Sequence, residues 1–374
     1  MMNERAATLA RDATSRSTRE TAVLAPSPFP VTAHVLLALW VSCMVLLGVQ
    51  APDVYESLMQ EDRFVEWWTV PLFAAAGVFA LRRAIRHRRA FDALVGAFCI
   101  FVAGEEFSWG QRLLGITPPA PFLEHNYQQE LTLHNFAGVF GQPGAALILA
   151  LAGFGVLLPS ITAIRRGRAL LEHIGATAPR PVMLPWFALA AGLLAMYPLP
   201  FTGEWVEAMA GGLFLLTYAP APRTSAAAAL IGAAFALALT AWSGRGSATP
   251  AQLACAQAEA AAIANELAYG EAATARLAGA RSVHKRAFTA VEEGYVRPDG
   301  LTALRAVACP EDSAASARRA YLIDPWGTAY WIATERGADS ITVRVYSFGP
   351  NRRRDGGALE AGGDDIGAPL VIRP

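Results

Sequence analysis

From Val31 to Val49 the chain carries no Asp, Glu, Lys or Arg. A run of that length crosses hydrocarbon, because about 20 residues at 1.5 Å each match a bilayer core of about 30 Å. Inside lipid every backbone polar group needs an internal partner, so a helix is the form open to such a run. No small-residue cleavage site follows it, which favours a retained helix over a signal peptide. Further apolar stretches recur at roughly Trp67 to Leu81, Phe91 to Trp109, Gly144 to Ile164, Pro185 to Pro200, Val206 to Ala219 and Ser225 to Trp242. The expectation is a multi-pass α-helical transmembrane bundle of about seven helices over 31–243.

Hydrophobic residues make up 54% of the chain and charged residues 17%. An average soluble chain has about 25% charged residues, and the deficit here lies before Gly244. Residues 1–30 are polar, carry Arg5, Arg11, Arg16 and Arg19, and show no apolar period; they read as a disordered tail. The formal net charge of zero excludes bulk attraction to nucleic acid. Lys285 is the sole lysine, and this arginine bias with abundant alanine suggests a GC-rich bacterial genome.

Loop charges orient the spans. Arg82, Arg83, Arg86, Arg88 and Arg89, then Arg165, Arg166, Arg168 and Arg180, then Arg223, fall in alternate loops with the basic N-terminus. The opposite loops hold Asp53, Glu56, Glu61, Asp62, Glu66 and Glu204. The positive-inside rule then places the N-terminus in the cytoplasm and everything after Trp242 outside. The expected location is a bacterial inner membrane with 244–374 in the periplasm. There, Cys255 and Cys309 are free to form a disulfide.

The polar stretch from Gly104 to Asn135 interrupts this pattern. Glu105 and Glu106 end an apolar helix and lie about 100° apart on it, so they face different neighbours. Glu105 shares a stripe with Ser108, Trp109 and Arg112. Asn126, Glu130 and His134 fall four apart and form a second stripe if that segment is helical. Folded over Pro118-Pro119, the two stripes would place Glu105, Glu106, Arg112, Glu130 and His134 together. Carboxylates with imidazoles suit a transition metal or a general acid/base pair. The same residues equally suit a structural ion-pair network, or a path for a transported solute. Residues GEE-SWGQRL-GI-TP followed by EHN-Q-E-LHN resemble a motif of uncharacterised bacterial multi-pass membrane proteins. A fainter likeness is to membrane-embedded CAAX-type proteases, which use a Glu-Glu-x-x-x-Arg helix; Arg112 comes too late for that pattern.

After Ser243 the chain reads as a small α+β domain. Thr249-Pro250-Ala251-Gln252 is a helix start, with Thr as cap, Pro at the first position and Gln closing a capping box. An Ala-rich helix runs to about Tyr269, and a second helical stretch covers roughly Glu271 to Glu293. Ala329 to Ala333 and Ile341 to Ser347 read as a hairpin, and Gly349 to Gly367 as a loop. Asp324-Pro325-Trp326-Gly327 is a turn.

Gly300 to Leu304, Tyr321 to Tyr330, Tyr346 to Asn351 and Gly363 to Ile366 occur in that order and resemble the soluble part of the major (G-type) pseudopilin of type II secretion. The resemblance spans about Ala251 to Ile366. It implies a helix packed on a short antiparallel sheet, and Ca2+ held by the last loop. Asn351, Asp364 and Asp365 are the matching ligand positions, and hard oxygens suit calcium. Arg352, Arg353 and Arg354 depart from the family pattern and oppose a cation. The chain also lacks the family's leader and early helical Glu, so polymerisation is not implied. The function expected is binding or assembly with secretion or envelope proteins, the lipid bilayer being the other partner. The alternatives are a membrane-embedded metal-dependent hydrolase, or a transporter.

Overall fold

The computed structural model describes residues 31–60, 63–126, 128–136, 144–243, 246–269, 283–293, 301–309, 312–356 and 362–372. The tail at 1–30 lies outside the described residues, as do the side chains of Arg112 and of 368–372.

Four helices are long and apolar enough to cross a membrane: Val31–Gln50, Phe64–His87, Ala145–Thr162 and Pro222–Ser243. Ala90–Glu106, Pro181–Met196 and Thr202–Tyr218 are shorter and pack with them. Phe64–His87 and Ala90–Glu106 run antiparallel, as do Pro181–Met196 and Thr202–Tyr218. Contacts at the two ends of the bundle bring these helices together. Arg83 reaches Asp92 at 3.2 Å and Tyr218 donates to Asp92 at 3.3 Å, at the basic end. At the other end Tyr55 donates to the Pro200 carbonyl at 2.7 Å, and Trp205 donates to the Tyr55 hydroxyl at 3.0 Å.

Thr202–Tyr218 is the axis of the bundle, although it is among the shorter helices. Its Trp205, Val206, Met209, Leu213 and Phe214 are all buried. A helix shielded by others needs no lipid-facing length. Gly211 lets Phe64–His87 come close, since a Cβ there would meet Leu72 and Phe73 at 3.0 Å. Phe214 stacks on Phe154 at 4.9 Å and meets Phe73, Phe98 and Phe187 within 6.0 Å. Such ring pairs add to plain burial. The outer helices show the reverse pattern. Val31–Gln50 exposes Leu36 and Leu39, and Pro222–Ser243 exposes Leu230 and Ile231, as lipid-facing surfaces do.

The remainder has its own core. The capping box forms as expected: the Thr249 hydroxyl accepts from the Gln252 amide at 3.2 Å, and the Gln252 side chain accepts from the Thr249 amide at 3.0 Å. The helix it starts, Pro250–Tyr269, packs Ile263 and Leu267 against Tyr330, Ile332, Val343 and Val345. These lie on or beside an antiparallel sheet of β1 (Val283–Arg286), β2 (Trp331–Arg336), β3 (Ile341–Ser347) and β4 (Ile366–Ile372), in that order. The expected hairpin is β2–β3, with Trp331 opposite Tyr346. Cys255 and Cys309 form a disulfide across a Cα separation of 5.4 Å.

The second helical stretch, expected over 271–293, is corrected. Residues 270–282 lie outside the described residues. Val283–Arg286 is a strand, because Val283 and Arg286 turn inward and the Val283 amide donates to Thr334 at 2.8 Å. Only Ala287–Glu292 is helical there.

Two buried acids fix this domain. Glu259 is fully buried and takes hydrogen bonds from Arg318 at 2.6 and 2.8 Å, from Tyr330 at 2.7 Å and from Arg319. Asp324, also fully buried, accepts from the Trp326 and Thr328 amides and from the Thr328 and Ser347 hydroxyls. That set closes the Asp-Pro-Trp-Gly turn onto β3.

A cavity-free contact gives a test of the bundle. A Cβ on Gly155 would lie 2.0 Å from the Phe187 ring, whereas one on Gly153 meets nothing within 4 Å. Gly155→Ala should destabilise the protein by about 1–3 kcal/mol through overpacking. Gly153→Ala should be close to neutral, both read from thermal melting in detergent.

Candidate functional site

Ala90–Glu106 stops where the chain turns left-handed. Ser108, Trp109 and Gly110 have φ of 44°, 52° and 78° in succession. Such conformations cost energy in non-glycine residues and persist only where neighbours over-determine them. Here Trp109 folds back over Gly104, where a Cβ would meet its ring at 2.8 Å. Its indole N–H donates to Glu105 Oε1 at 2.7 Å.

The described part of the segment from Gln111 to Phe136 is a folded-back polar loop, not a second helical stripe. Its one turn of helix with six residues, Ala120–His125, ends at Asn126. Asn126 then competes with helix: its carbonyl oxygen accepts from the Gln128 amide at 2.8 Å and its Nδ2 donates to Thr132. Asn126 and Phe136 close the loop as an isolated antiparallel bridge.

Of the residues expected to converge, Glu105, Glu106, Glu130 and His134 have described partners, and these do not meet at one point. Glu105 Oε2 accepts from the Leu133 amide at 2.6 Å and the His134 amide at 2.8 Å, with His134 Nδ1 at 3.3 Å. Glu130 accepts from Ser108 at 2.8 Å. Gln111 accepts from the Leu131 amide at 2.6 Å. Glu106 turns away from all of these and shares a hydrogen bond with Glu207 of the Thr202–Tyr218 helix. Arg112 sits in the short Gln111–Leu114 helix, and its side chain lies outside the described residues. So among the described side chains Glu105 pairs with His134, and Glu106 pairs with Glu207.

The missed residue is Glu207. A carboxyl one turn into an apolar helix was its only signal. Two carboxyls in hydrogen-bond contact need a proton between them, as in other close carboxyl pairs. Glu66 and Glu204 act on Glu106 through space, and His134 acts on Glu207. No trio here converges as metal ligands. Among the described residues, the one His/Cys/Asp/Glu trio with ligand atoms within 4.8 Å of one another is Cys255, Glu259 and Cys309. There the sulfurs form the disulfide and the carboxylate is held by two arginines.

The loop 349–365 is built largely from its own side chains. Asn351 Oδ1 accepts from the Arg353 amide at 2.7 Å, and Asp365 Oδ2 accepts from the Gly356 amide at 2.9 Å. Of the three expected calcium ligands, only Asp364 keeps a buried oxygen, Oδ1, without a partner. Asp355, which sequence reading passed over, lies against it and also bonds Asn351 Nδ2 at 2.7 Å. Burial, and then the Asp355 carboxyl, push Asp364 up to about 6. Two close carboxylates and an open oxygen fit a hard divalent cation in part; Asn351 and Asp365 would first have to leave their amide partners.

Two of the three arginines bind the bundle and not a loop ligand. Arg353 donates to the Thr240 carbonyl at 2.6 Å and to Ser243, at the end of Pro222–Ser243. Arg354 pairs with Glu56, and Asp355 faces Arg63 at 3.6 Å. On the other side, Gln129 Nε2 donates to the Tyr321 carbonyl at 3.0 Å, Arg286 to the Gln128 carbonyl, and Tyr321 to Glu124 at 3.3 Å. The domain after Ser243 is therefore seated on the acidic end of the bundle.

His134 offers a pH test. Burial opposes its charged form, but the Glu105 hydrogen bond and the nearby Glu207, Glu105 and Glu130 outweigh that and raise its pKa. A raised histidine stabilises the fold fully below its ordinary value of about 6.5, and the benefit fades as pH rises through the raised value. The melting-temperature gap between the wild type and His134→Gln should be wider at pH 6 than at pH 9.

No family model, no curated protein and no solved structure matches this chain.

Proposed function

We propose that this is an integral protein of a bacterial inner membrane, with seven spans, a cytoplasmic N-terminus and a pseudopilin-like head fixed at the periplasmic face. Its role is binding and assembly of secretion or envelope proteins. Support for the topology comes from the alternating helix ends, which gather Arg82, Arg83, Arg86, Arg165, Arg166 and Arg168 at one end and Glu56, Glu66 and Glu204 at the other. The Cys255–Cys309 disulfide suits an oxidising compartment. The observation that carries the binding role is the seat of the head: Arg353 caps the carbonyl end of the last bundle helix, where a cation is favoured. A head so held presents its surface in a fixed pose and does not polymerise.

A phosphatase reporter fused after Pro374 should be active only outside the cytosol. Arg353→Ala with Arg354→Ala should free the head, raise its protease sensitivity, and abolish co-purification of envelope proteins retained by the wild type. A reporter active in the cytosol, or partners retained by the double variant, would sink the reading. Calcium at Asp355 and Asp364 belongs to the same proposal and is tested by titrating the purified protein with and without Asp364→Ala.

The Glu106–Glu207 pair favours a second reading, in which the bundle moves a proton or a proton-coupled solute, or performs acid/base chemistry at its outer end. Carboxyls at membrane depth that share a proton are suited to relay. In proteoliposomes, Glu207→Gln should abolish proton flux while keeping the fold. Glu105→Gln should instead loosen the polar loop. Equal flux in wild type and Glu207→Gln would remove this reading.

A further inference from the structure

Between the polar loop and the head lies a cavity of about 530 Å³. Small-ligand sites fall in the range of about 300–1,000 Å³. One wall is Gln111, the Gly115–Pro118 stretch and Gln129; the other is Tyr321, the Asp324–Ala329 turn and Trp331. We propose that this cavity binds a short, uncharged stretch of extended polypeptide. The proposal rests on the reading of the head as a binding platform and names what it binds.

Charge selects against ions. The lining holds Arg286, Arg318 and Arg352 against Glu130, Asp312 and Asp324, which sum to zero. Five of the six are engaged: Arg318 by Glu259 and Asp312, Arg286 by the Gln128 carbonyl, Asp324 by Ser347 and Thr328, and Glu130 by Ser108. At those five positions an ion would have to break an existing contact.

Stacking geometry selects against sugars, which bind on open aromatic faces. Trp331 lies between the Arg286 guanidinium at 5.3 Å and the Phe348 ring at 5.6 Å. Tyr321 packs on Phe288.

Unmet hydrogen bonding selects for an amide. Gln129 Oε1, an acceptor, and Trp326 Nε1, a donor, both lack a partner, and their residues are only 6% and 8% exposed. Each orphaned group costs about 1–3 kcal/mol, and buried groups without partners call for an explanation. Both residues line this cavity, one on each wall. Neither atom meets solvent in this arrangement, so a guest reaches them by wedging loop and head slightly apart. A peptide unit brings one N–H and one C=O, which complements one acceptor and one donor. The Ile116–Pro118 backbone, which belongs to no helix or strand, lines the wall where such a segment would lie.

The test uses the full chain in detergent and calorimetric titration. The probes are a pool of acetylated, amidated tetrapeptides with small uncharged side chains, the same pool with glutamate or lysine, and chitotetraose. Saturable binding of the uncharged pool alone is expected. Trp326→Phe keeps an aromatic ring and removes the N–H, and should weaken binding about tenfold; the volume it deletes from this buried site lowers the melting temperature modestly, and head seating should persist by protease sensitivity. Thr117→Trp, at an exposed lining position, should fill the cavity and abolish binding. Preference for charged peptides or for chitotetraose, no saturable binding, or equal affinity in wild type and both variants would overturn the proposal. Head seating is read separately by protease sensitivity, so peptide binding can fail while the platform stands.

Discussion

A carboxylate at the end of an apolar helix is tolerable only if donors surround it, and Glu105 has drawn four. Trp109, the Leu133 and His134 amides and the His134 ring all converge on its two oxygens. The amide bonds tie the far end of the polar loop, 28 and 29 residues on, back to the helix that launched it. Charge-assisted bonds to backbone amides are among the stronger protein hydrogen bonds, and the loop offers little apolar core to do the same work. Everything above it depends on this. Glu124, Gln128 and Gln129 meet the head only because the loop they lie on is held in place.

The head is held from two sides by different means. On the loop side the contacts are single hydrogen bonds: Gln129 and Arg286 donate to backbone carbonyls, and Tyr321 donates to the Glu124 carboxylate. On the other side they are Arg353, Arg354 and Asp355 against Ser243, Glu56 and Arg63. Exposed ion pairs contribute little, about 0–1 kcal/mol each, but Arg353 is 6% exposed and meets a helix terminus. Arg353 and Arg354 therefore belong to docking, and the same loop that would hold a cation is the loop that grips the bundle. Asp355 stands in both roles, facing Arg63 and Asp364.

Much of this was legible in the residues, and the exceptions share a cause. Charge-free runs force helices whatever their neighbours do, so the Val31, Phe64, Ala145 and Pro222 helices lie close to the expected spans. The Thr249 capping box, the β2–β3 hairpin and the Asp324 turn rest on local chemistry and formed as read. Non-local partners were not legible. Val283–Arg286 is a strand because β2 lies beside it, not because four residues with two charges prefer to be extended. The four-residue spacing of Asn126, Glu130 and His134 imitated a helix stripe until Asn126 turned its side chain on its own backbone. Glu207 was visible only as one carboxyl in a greasy helix, and its meaning lies in Glu106, on another helix.

Glu105 and Glu106 differ in fate because of helix geometry alone. Successive side chains diverge by about 100°, so one carboxyl meets the loop and the other meets the neighbouring helix. The first is saturated by four fixed donors, two of them backbone amides, and has little freedom to exchange a proton. The second faces another carboxyl, and a pair of that kind carries a proton that either side can give up. Adjacent identical residues thus divide the work of the segment: Glu105 builds the loop that seats the head, and Glu106 supplies the titratable contact to the bundle's central helix.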